Sequence, residues 1–410
     1  MLWLYNFGIS LYKLLLQVAS LFNSKAKLFL KGRKNLFHTI SKRINLSEKH
    51  IWFHFASLGE FEQGRPVLEN LKEIYPDKKI VITFFSPSGY EIRKDYAGAA
   101  GVFYLPLDTK KNAEEFVRLI NPEIAIFTKY EFWYHYFSVL HRHNVPLFLI
   151  SGIFRPNQLF FKWYGGFYRS MLECVNYFFV QNEESVRLLN SINIDNVSLS
   201  GDTRFDRVAE NAQSPKHLQA IADFCGSSKV FIAGSTWPQD EQLIAMLIAM
   251  LIRENQDWKF IIAPHEIGAA HLDEITNLIP GITRYTRLEV INTDSNSRVL
   301  LIDNIGMLSS IYQYGDIAYI GGGFGAGIHN TLEAAAFGLP VIFGPKYDKF
   351  QEAKDLIRLG AAISISTSTA LSAAFAKLQQ DNNAGVAARN YVDIKKGSAQ
   401  QILKYLKDFI

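Results

Sequence analysis

Residues Gly321–Pro345 read GGGFGAGIHNTLEAAAFGLPVIFGP. An apolar run, Ile317–Ile320, enters the glycine-rich turn. A helix opens near Asn330–Glu333, and a short strand over Leu339–Phe343 closes on Gly344–Pro345. Glycines let a backbone approach a ligand closely, and a helix start offers unpaired N–H groups, a combination that suits a phosphate. A structural reading stands beside it, because Asn330 and Glu333 have the spacing of a helix cap with its capping-box acid. Gly321, Gly323 and Ala326 also fit a weak dinucleotide-binding pattern. The next strand ends in Gly-Pro rather than in an acid for a ribose, which disfavours a nicotinamide or flavin enzyme.

Outward from this stretch the chain repeats the same alternation. In the first half, apolar runs fall at Ile51–Phe55, Ile80–Phe84, Val102–Tyr104, Ile124–Phe127, Leu147–Ile150, Tyr177–Val180 and Val197–Leu199. A polar stretch, Thr203–Pro215, follows, and the pattern restarts at Val230–Ala233, Lys259–Ala263, Val299–Ile302, Ile317–Ile320 and Val341–Phe343. Helical segments separate these runs, and Thr367–Ile410 reads as helical throughout. The pattern predicts an α/β protein of two Rossmann-like parallel-sheet domains facing a cleft, with ligands at the carboxyl ends of the strands. The expected division is 1–34 for an N-terminal helix and basic flank, 35–205 for the first domain and 206–410 for the second.

Bulk properties narrow the class. At 410 residues the chain is long for one core, and 48% hydrophobic with 20% charged residues describes a globular protein. A net charge of +4 is too mild for a nucleic-acid partner. Cys174 and Cys225 lack metal-ligand spacing, and the ten histidines form no metal motif, so reduced thiols and no metal are expected.

Leu2–Phe22 is mostly apolar, but Asn6, Ser10, Lys13, Gln17 and Ser20 recur at helical spacing and make one narrow polar stripe. Lys25, Lys27, Lys31, Arg33 and Lys34 follow. A membrane-associated helix with a basic flank for anionic phospholipid headgroups is expected, spanning or lying flat. Packing on the protein's own surface is the alternative.

Two carboxylates follow strands of the first half. Glu60, in HFASLGEFEQGRP (54–66), is three residues after Ser57, the spacing of a capping box. Pro66 would fall deep inside a helix begun at Ser57, which predicts a helix start near Gly64 and Glu60 in a loop at a strand end. A general base belongs there, and Gly59 allows close substrate approach. Glu131 follows Ile124–Phe127, either as an acid in the first turn of the next helix or as a second carboxylate at the same edge. No G-x-S-x-G elbow occurs, which disfavours covalent catalysis.

Taken together, HFASLGE (54–60), FSPSG (85–89), KYEFW (129–133), GDTRFD (201–206), AGST (233–236) and GGGFGAGIHNTLE (321–333) resemble, in this order, the Kdo transferases. Those enzymes move 3-deoxy-D-manno-oct-2-ulosonic acid (Kdo) from CMP-Kdo to a lipid A precursor. The resemblance covers nearly the whole chain. It implies a GT-B glycosyltransferase at the cytoplasmic face of the inner membrane, with the acceptor on the first domain and CMP on the second.

Carried over position by position, the resemblance makes Glu60 the proton acceptor and Glu131 and Arg204 transition-state stabilisers. It places CMP contacts at Ser235, Pro264–His265, Gly306–Met307–Leu308 and Asn330–Thr331–Leu332–Glu333. Ser57, Gly59 and Arg155 are acceptor-side candidates. Arg204 stands where many members have Lys, His265 where Arg is common, Met307 for a frequent Glu and Thr331 for a frequent Pro. The implied chemistry is direct, inverting displacement without metal or cofactor. Ser151–Arg169 (SGIFRPNQLFFKWYGGFYR) reads either as a membrane-facing mouth or as a helix with a buried aromatic face. The competing functions are a transferase using a nucleoside-diphosphate sugar and a non-catalytic membrane scaffold.

Overall fold

The computed structural model describes residues 1–288 and 297–410. Its contacts divide into two units, Met1–Arg207 with Lys396–Ile410, and Val208–Lys395.

The first unit holds β1 (His50–Phe55), β2 (Lys79–Phe84), β3 (Gly101–Tyr104), β4 (Pro122–Thr128), β5 (Leu147–Gly152), β6 (Tyr177–Val180) and β7 (Val197–Leu199). They form one parallel sheet in the order β3-β2-β1-β4-β5-β6-β7. All six residues of β1 are buried, as expected where helices cover both faces. Period-two alternation sorts the side chains: Trp52, Val81 and Phe127 enter one core, while Phe53, Ile82 and Ile126 enter the other.

The second core also takes Ala399, Ile402 and Leu406 from the helix Ser398–Leu406, three and four residues apart. Asp206 tethers that helix, accepting N–H bonds from Gly397 (2.7 Å) and Ala399 (3.3 Å). The segment from Lys396 therefore belongs to the first unit, a difference from the expected assignment of 206–410 to the second. Its apolar face and a buried capping carboxylate decide this, and neither depends on sequence neighbours.

Pro66 also departs from expectation. It lies inside the helix Leu58–Ile74, whose N-cap is Ser57. An internal proline costs about 3 kcal/mol. The same helix buries Phe61, Val67, Leu68 and Leu71 completely, at about 1.5–3 kcal/mol each, and the burial wins.

The helix Leu2–Ala19 has no fully buried residue. Tyr5, Ile9 and Leu16 form its half-buried face. Tyr5 Oη donates to Asp108 at 2.5 Å, and His135 Nε2 bonds Asn6 Oδ1 at 2.7 Å. On the opposite side Trp3, Phe7, Leu11, Leu14 and Val18 are exposed in a stripe at helical spacing. No helix among the described residues is long and apolar enough to cross a membrane. Arg33 leaves the expected basic flank. It donates to the carbonyls of Leu105 (2.8 Å), Phe29 (3.0 Å) and Phe85 (2.7 Å), and burial lowers its pKa to about 9. Lys25, Lys27, Lys31 and Lys34 remain exposed.

The second unit holds β8 (Lys229–Thr236), β9 (Trp258–Pro264), β10 (Ile282–Arg284), β11 (Val299–Leu301), β12 (Ile317–Ile320), β13 (Val341–Phe343) and β14 (Ala362–Ser364). Its parallel sheet runs β10-β11-β9-β8-β12-β13-β14. The edge strands β10 and β14 escape the sequence pattern, because three residues reading ITR or AIS carry no apolar run.

Candidate active site

In the first unit the strand order reverses direction between β1 and β4, so a crevice opens outside their carboxyl ends. The residues after β1 deliver Glu60 to that edge and those after β4 deliver Glu131. Glu60 sits in the first turn of Leu58–Ile74, not in the expected loop, and its Oε2 accepts the Ala56 N–H at 2.5 Å. Burial and, next, the charge of Glu131 raise its pKa to about 7, against the opposing pull of that N–H and of Lys129. Lys129 holds a left-handed backbone (φ 61°), an unusual conformation of the kind that gathers at functional edges.

Glu131 lies in the connection between β4 and the helix Tyr134–Arg142, outside the first turn of that helix. Its Oε2 accepts the indole N–H of Trp133 at 2.9 Å and faces His54 Nε2 at 3.1 Å. Arg204 opens the helix Arg204–Gln213. Its Nε and a terminal nitrogen meet Asp202 Oδ2 at 2.8 and 2.7 Å, and its backbone N–H reaches Oδ1 at 2.9 Å. Gln63 Nε2 donates to the same Oδ1 at 2.7 Å. Burial acts to raise the Asp202 pKa, but the charge and hydrogen bonds of Arg204 outweigh it and leave the carboxyl below its ordinary value.

The acceptor-side candidates fall at the same edge. Arg155 is exposed, lies 5.8 Å from the Tyr130 ring centroid and reaches the Tyr130 hydroxyl at 3.5 Å. Charges of Arg155, Glu60, Arg204 and Asp202 all act on Tyr130, which ties these side chains into one cluster. Ser57 makes no side-chain cap, and an added Cβ on Gly59 would meet only Ser57 Oγ at 4.0 Å. Gly59 is therefore not required by packing. His54, Trp133, Lys129 and Asp202 sit inside motifs that the sequence reading quoted, but it gave them no role. A polar His54 within the otherwise apolar run Ile51–Phe55 was the available signal.

In the second unit the reversal lies between β8 and β12. All the residues matched to CMP contacts fall at the carboxyl ends of β8, β9, β11 and β12. Ser235 adopts φ 53° near the end of β8. Pro264 is buried and His265 exposed after β9, while Gly306 (φ 92°), Met307 and Leu308 follow β11. Sequence reasoning missed the aromatic stack beside them. His265 stacks on Trp237 (4.9 Å) and on His329 (4.3 Å), and Trp237 Nε1–H donates to His329 Nε2 at 3.0 Å. Burial, then the neighbouring His265, lowers the His329 pKa to about 4.

The glycine-rich turn is built differently from the expectation. A Cβ on Gly321 would stand 2.2 Å from the Ser235 carbonyl oxygen, and one on Gly323 2.6 Å from Gly344 Cα. These two glycines permit close approach of protein backbone, not of a ligand. Buried Asp240 ties the turn down, accepting from Gly322 N–H (2.9 Å), Trp237 N–H (3.0 Å) and Tyr319 Oη (2.7 Å). The helix that follows, Leu332–Ala336, has five residues, too short for a strong macrodipole. Asn330 Oδ1 accepts the Leu332 N–H at 3.1 Å, and Asn330 Nδ2 donates to Glu333 at 3.1 Å. Thr331 is fully buried, and its hydroxyl has no hydrogen-bond partner in the protein. Among the described residues no group of three His, Cys, Asp or Glu side chains is placed to hold a metal ion.

Two doubly wound parallel sheets, each carrying its candidate residues at the reversal point, define a GT-B α/β fold. UDP-GlcNAc 2-epimerase from Neisseria meningitidis shares that fold at a TM-score of 0.62 and 16% identity, over 87% of this chain and 100% of that one. Residues 31–207 match the family model described as 3-deoxy-D-manno-octulosonic-acid transferase (kdotransferase). The 3-deoxy-D-manno-octulosonic acid transferase of Chlamydia trachomatis serovar A is 26% identical over 380 residues, covering 88% of this chain and 86% of the relative. A bifunctional glycosyltransferase/methyltransferase of Fusobacterium nucleatum is 26% identical over 92% of this chain, which spans only 60% of that relative's length. The match to the Kdo transferase family model thus lies in the first unit, and over most of its length the chain is similar to Kdo transferases.

Proposed function

We propose that this chain is an inverting glycosyltransferase that moves Kdo from CMP-Kdo to a lipid A precursor of the lipid IVA type. The observation that carries the reading is Glu60: a carboxylate at the reversal point of the first sheet, tuned to about 7 by burial and by Glu131. A base with that pKa near neutral pH is half ionised and still a useful proton acceptor. Glu60 takes the proton of a sugar hydroxyl, whose oxygen attacks the anomeric carbon of Kdo and inverts it. CMP departs with the bonding pair. Arg204, aimed by Asp202, meets developing negative charge, and Glu131 balances the cations around it.

The second unit carries the donor. The rings of His265 and Trp237 offer a stacking surface for a base, and Glu333 offers a carboxylate to ribose hydroxyls. Charge stabilisation in this scheme comes from fixed cations and N–H groups, so the proposed route uses no metal. The apolar stripe Trp3–Val18 lies in the membrane interface, with Lys25, Lys27, Lys31 and Lys34 toward anionic headgroups on the cytoplasmic leaflet of the inner membrane. An acylated acceptor that stays in the bilayer requires such an arrangement.

The test is mass analysis of products from the purified chain, CMP-Kdo and lipid IVA, with UDP- and ADP-sugars as parallel donors. A mass increase of one or more Kdo residues, lost in Glu60→Gln, supports the reading. Transfer only from a diphosphate donor, or turnover retained by Glu60→Gln, overturns it.

A further inference from the structure

A hydrogen-bonded line runs from the interior of the first unit's sheet to Glu131. The Trp52 indole N–H donates to Thr83 Oγ1 at 2.8 Å, Thr83 Oγ1 lies 2.8 Å from His54 Nδ1, and His54 Nε2 lies 3.1 Å from Glu131 Oε2. Trp52, Thr83 and His54 are completely buried. His54 and Thr83 face each other across the β1–β2 pairing, and Phe127 packs 4.8 Å from the imidazole.

The direction of this line follows from the chemistry of its members. An indole N–H only donates, so it occupies a lone pair of Thr83 Oγ1. The hydroxyl then has one proton and two possible acceptors, His54 Nδ1 at 2.8 Å and the Phe53 carbonyl at 3.4 Å. Hydroxyl donor bonds span about 2.5–3.0 Å, so the proton goes to Nδ1. With Nδ1 accepting, the ring carries its hydrogen on Nε2, and that hydrogen points at Glu131. Trp133 donates to the same oxygen at 2.9 Å.

We propose that Thr83 and His54 are positioning residues for the transfer reaction: Thr83, donating to Nδ1, holds the imidazole of His54 in its Nε2–H form and orientation, and His54 with Trp133 fixes the direction of the Glu131 carboxylate. This rests on the role proposed above for Glu131. Two N–H donors converge on Oε2, which leaves Oε1 as the oxygen directed to the reacting groups. A buried second-layer chain of this type orients an acid without touching substrate.

The experiment combines two readouts on the full chain. Nitrogen-15 NMR of labelled histidine reports the tautomer of His54, assigned by its loss in His54→Gln. Steady-state kinetics with CMP-Kdo and lipid IVA report kcat and both KM values. Wild type should show the Nε2–H tautomer. Thr83→Val removes the donor to Nδ1 while Glu131 still accepts from Nε2–H, so it should move the Nδ1 resonance to that of an unbonded nitrogen and lower kcat by about 10- to 100-fold, with both KM values within about twofold. Thr83→Ser, which keeps the hydroxyl, should restore the hydrogen-bonded Nδ1 resonance and kcat together. An Nδ1–H tautomer in wild type, a wild-type kcat in folded Thr83→Val, or a Thr83→Ser that restores neither would overturn the proposal. If Thr83→Val fails to fold, the wild-type tautomer and the Thr83→Ser kinetics still decide it. A wild-type chain that transfers no Kdo but shows the Nε2–H tautomer would sink the proposed reaction while leaving the relay geometry intact, so the two failures are distinguishable.

Discussion

Asp202 and Arg204 are bound twice through one carboxylate oxygen, at 2.8 and 2.7 Å, while the other oxygen takes the backbone N–H of Arg204 and the amide of Gln63. The acid thus sets both the rotamer of the cation and the start of its helix. Replacing Asp202 by Asn weakens the charge-assisted bonds and keeps the shape. The expected outcome is a drop in kcat of about 10- to 100-fold with a smaller change in donor KM. Arg204→Lys should cost less than Arg204→Ala because the charge is retained.

Glu60 makes activity and stability move in opposite directions with pH. The limiting value of kcat/KM should rise from acid pH and level off above about 7, as Glu60 ionises. For stability, a carboxyl whose folded pKa exceeds its unfolded value contributes fully below about 4.3 and loses that contribution as pH rises through about 7. Glu60→Gln escapes that loss. Its melting temperature should therefore exceed wild type at pH 8, by an amount equivalent to about 1–3 kcal/mol, and approach wild type near pH 4. Thermal melts at both pH values check this, and a lower melting temperature at pH 8 would count against the assigned shift.

The glycine-rich turn separates packing glycines from permissive ones. Gly321→Ala places a methyl 2.2 Å from the Ser235 carbonyl oxygen, where backbone must move, and should destabilise by about 1–3 kcal/mol or prevent folding. Gly325→Ala meets only the Gly322 carbonyl oxygen at 3.6 Å and should melt near wild type. Circular-dichroism melts of the pair distinguish them.

Glu333→Ala should raise the KM for CMP-Kdo several-fold and leave the acceptor KM unchanged. The bond it loses, from Asn330 Nδ2 at 3.1 Å, is worth about 0.5–1.5 kcal/mol to the fold. An unchanged donor KM with a lower melting temperature would assign Glu333 to capping alone.

Membrane binding should depend on the exposed stripe of the first helix. Replacing Phe7 and Leu14 by Glu places charge on that face without touching Tyr5 or Asn6, which hold the helix to the first unit. Co-sedimentation with vesicles containing anionic lipid should fall at least tenfold, and high salt should weaken wild type through the exposed lysines.

Much of the fold was readable because both sheets are doubly covered, so their central strands are unbroken apolar runs. The edge strands β10 and β14 are not, being three residues long and only half enclosed. Pro66 misled because a local backbone cost is visible in sequence, whereas the tertiary burial that exceeds it is not. Arg33 and the helix Ser398–Leu406 show the same limit. A cation in a basic cluster reads as solvated until three carbonyls are seen around it, and a terminal amphipathic helix does not announce its partner. Within the site, the acids after β1 and β4 were legible from their position. Their supports were not: His54 is joined to Glu131 across 77 positions, and Trp237 to His329 across 92.

The tether between Asp206 and the backbone of Gly397 and Ala399 also bears on how the chain is made. The first unit needs residues 396–410 to cover one face of its sheet, and the ribosome delivers them only after Val208–Lys395. At about 5–20 residues per second that interval lasts roughly 10–40 s. Throughout it the apolar surface that later receives Ile402 and Leu406 stands open on a nascent polypeptide, a natural point of engagement for a chaperone.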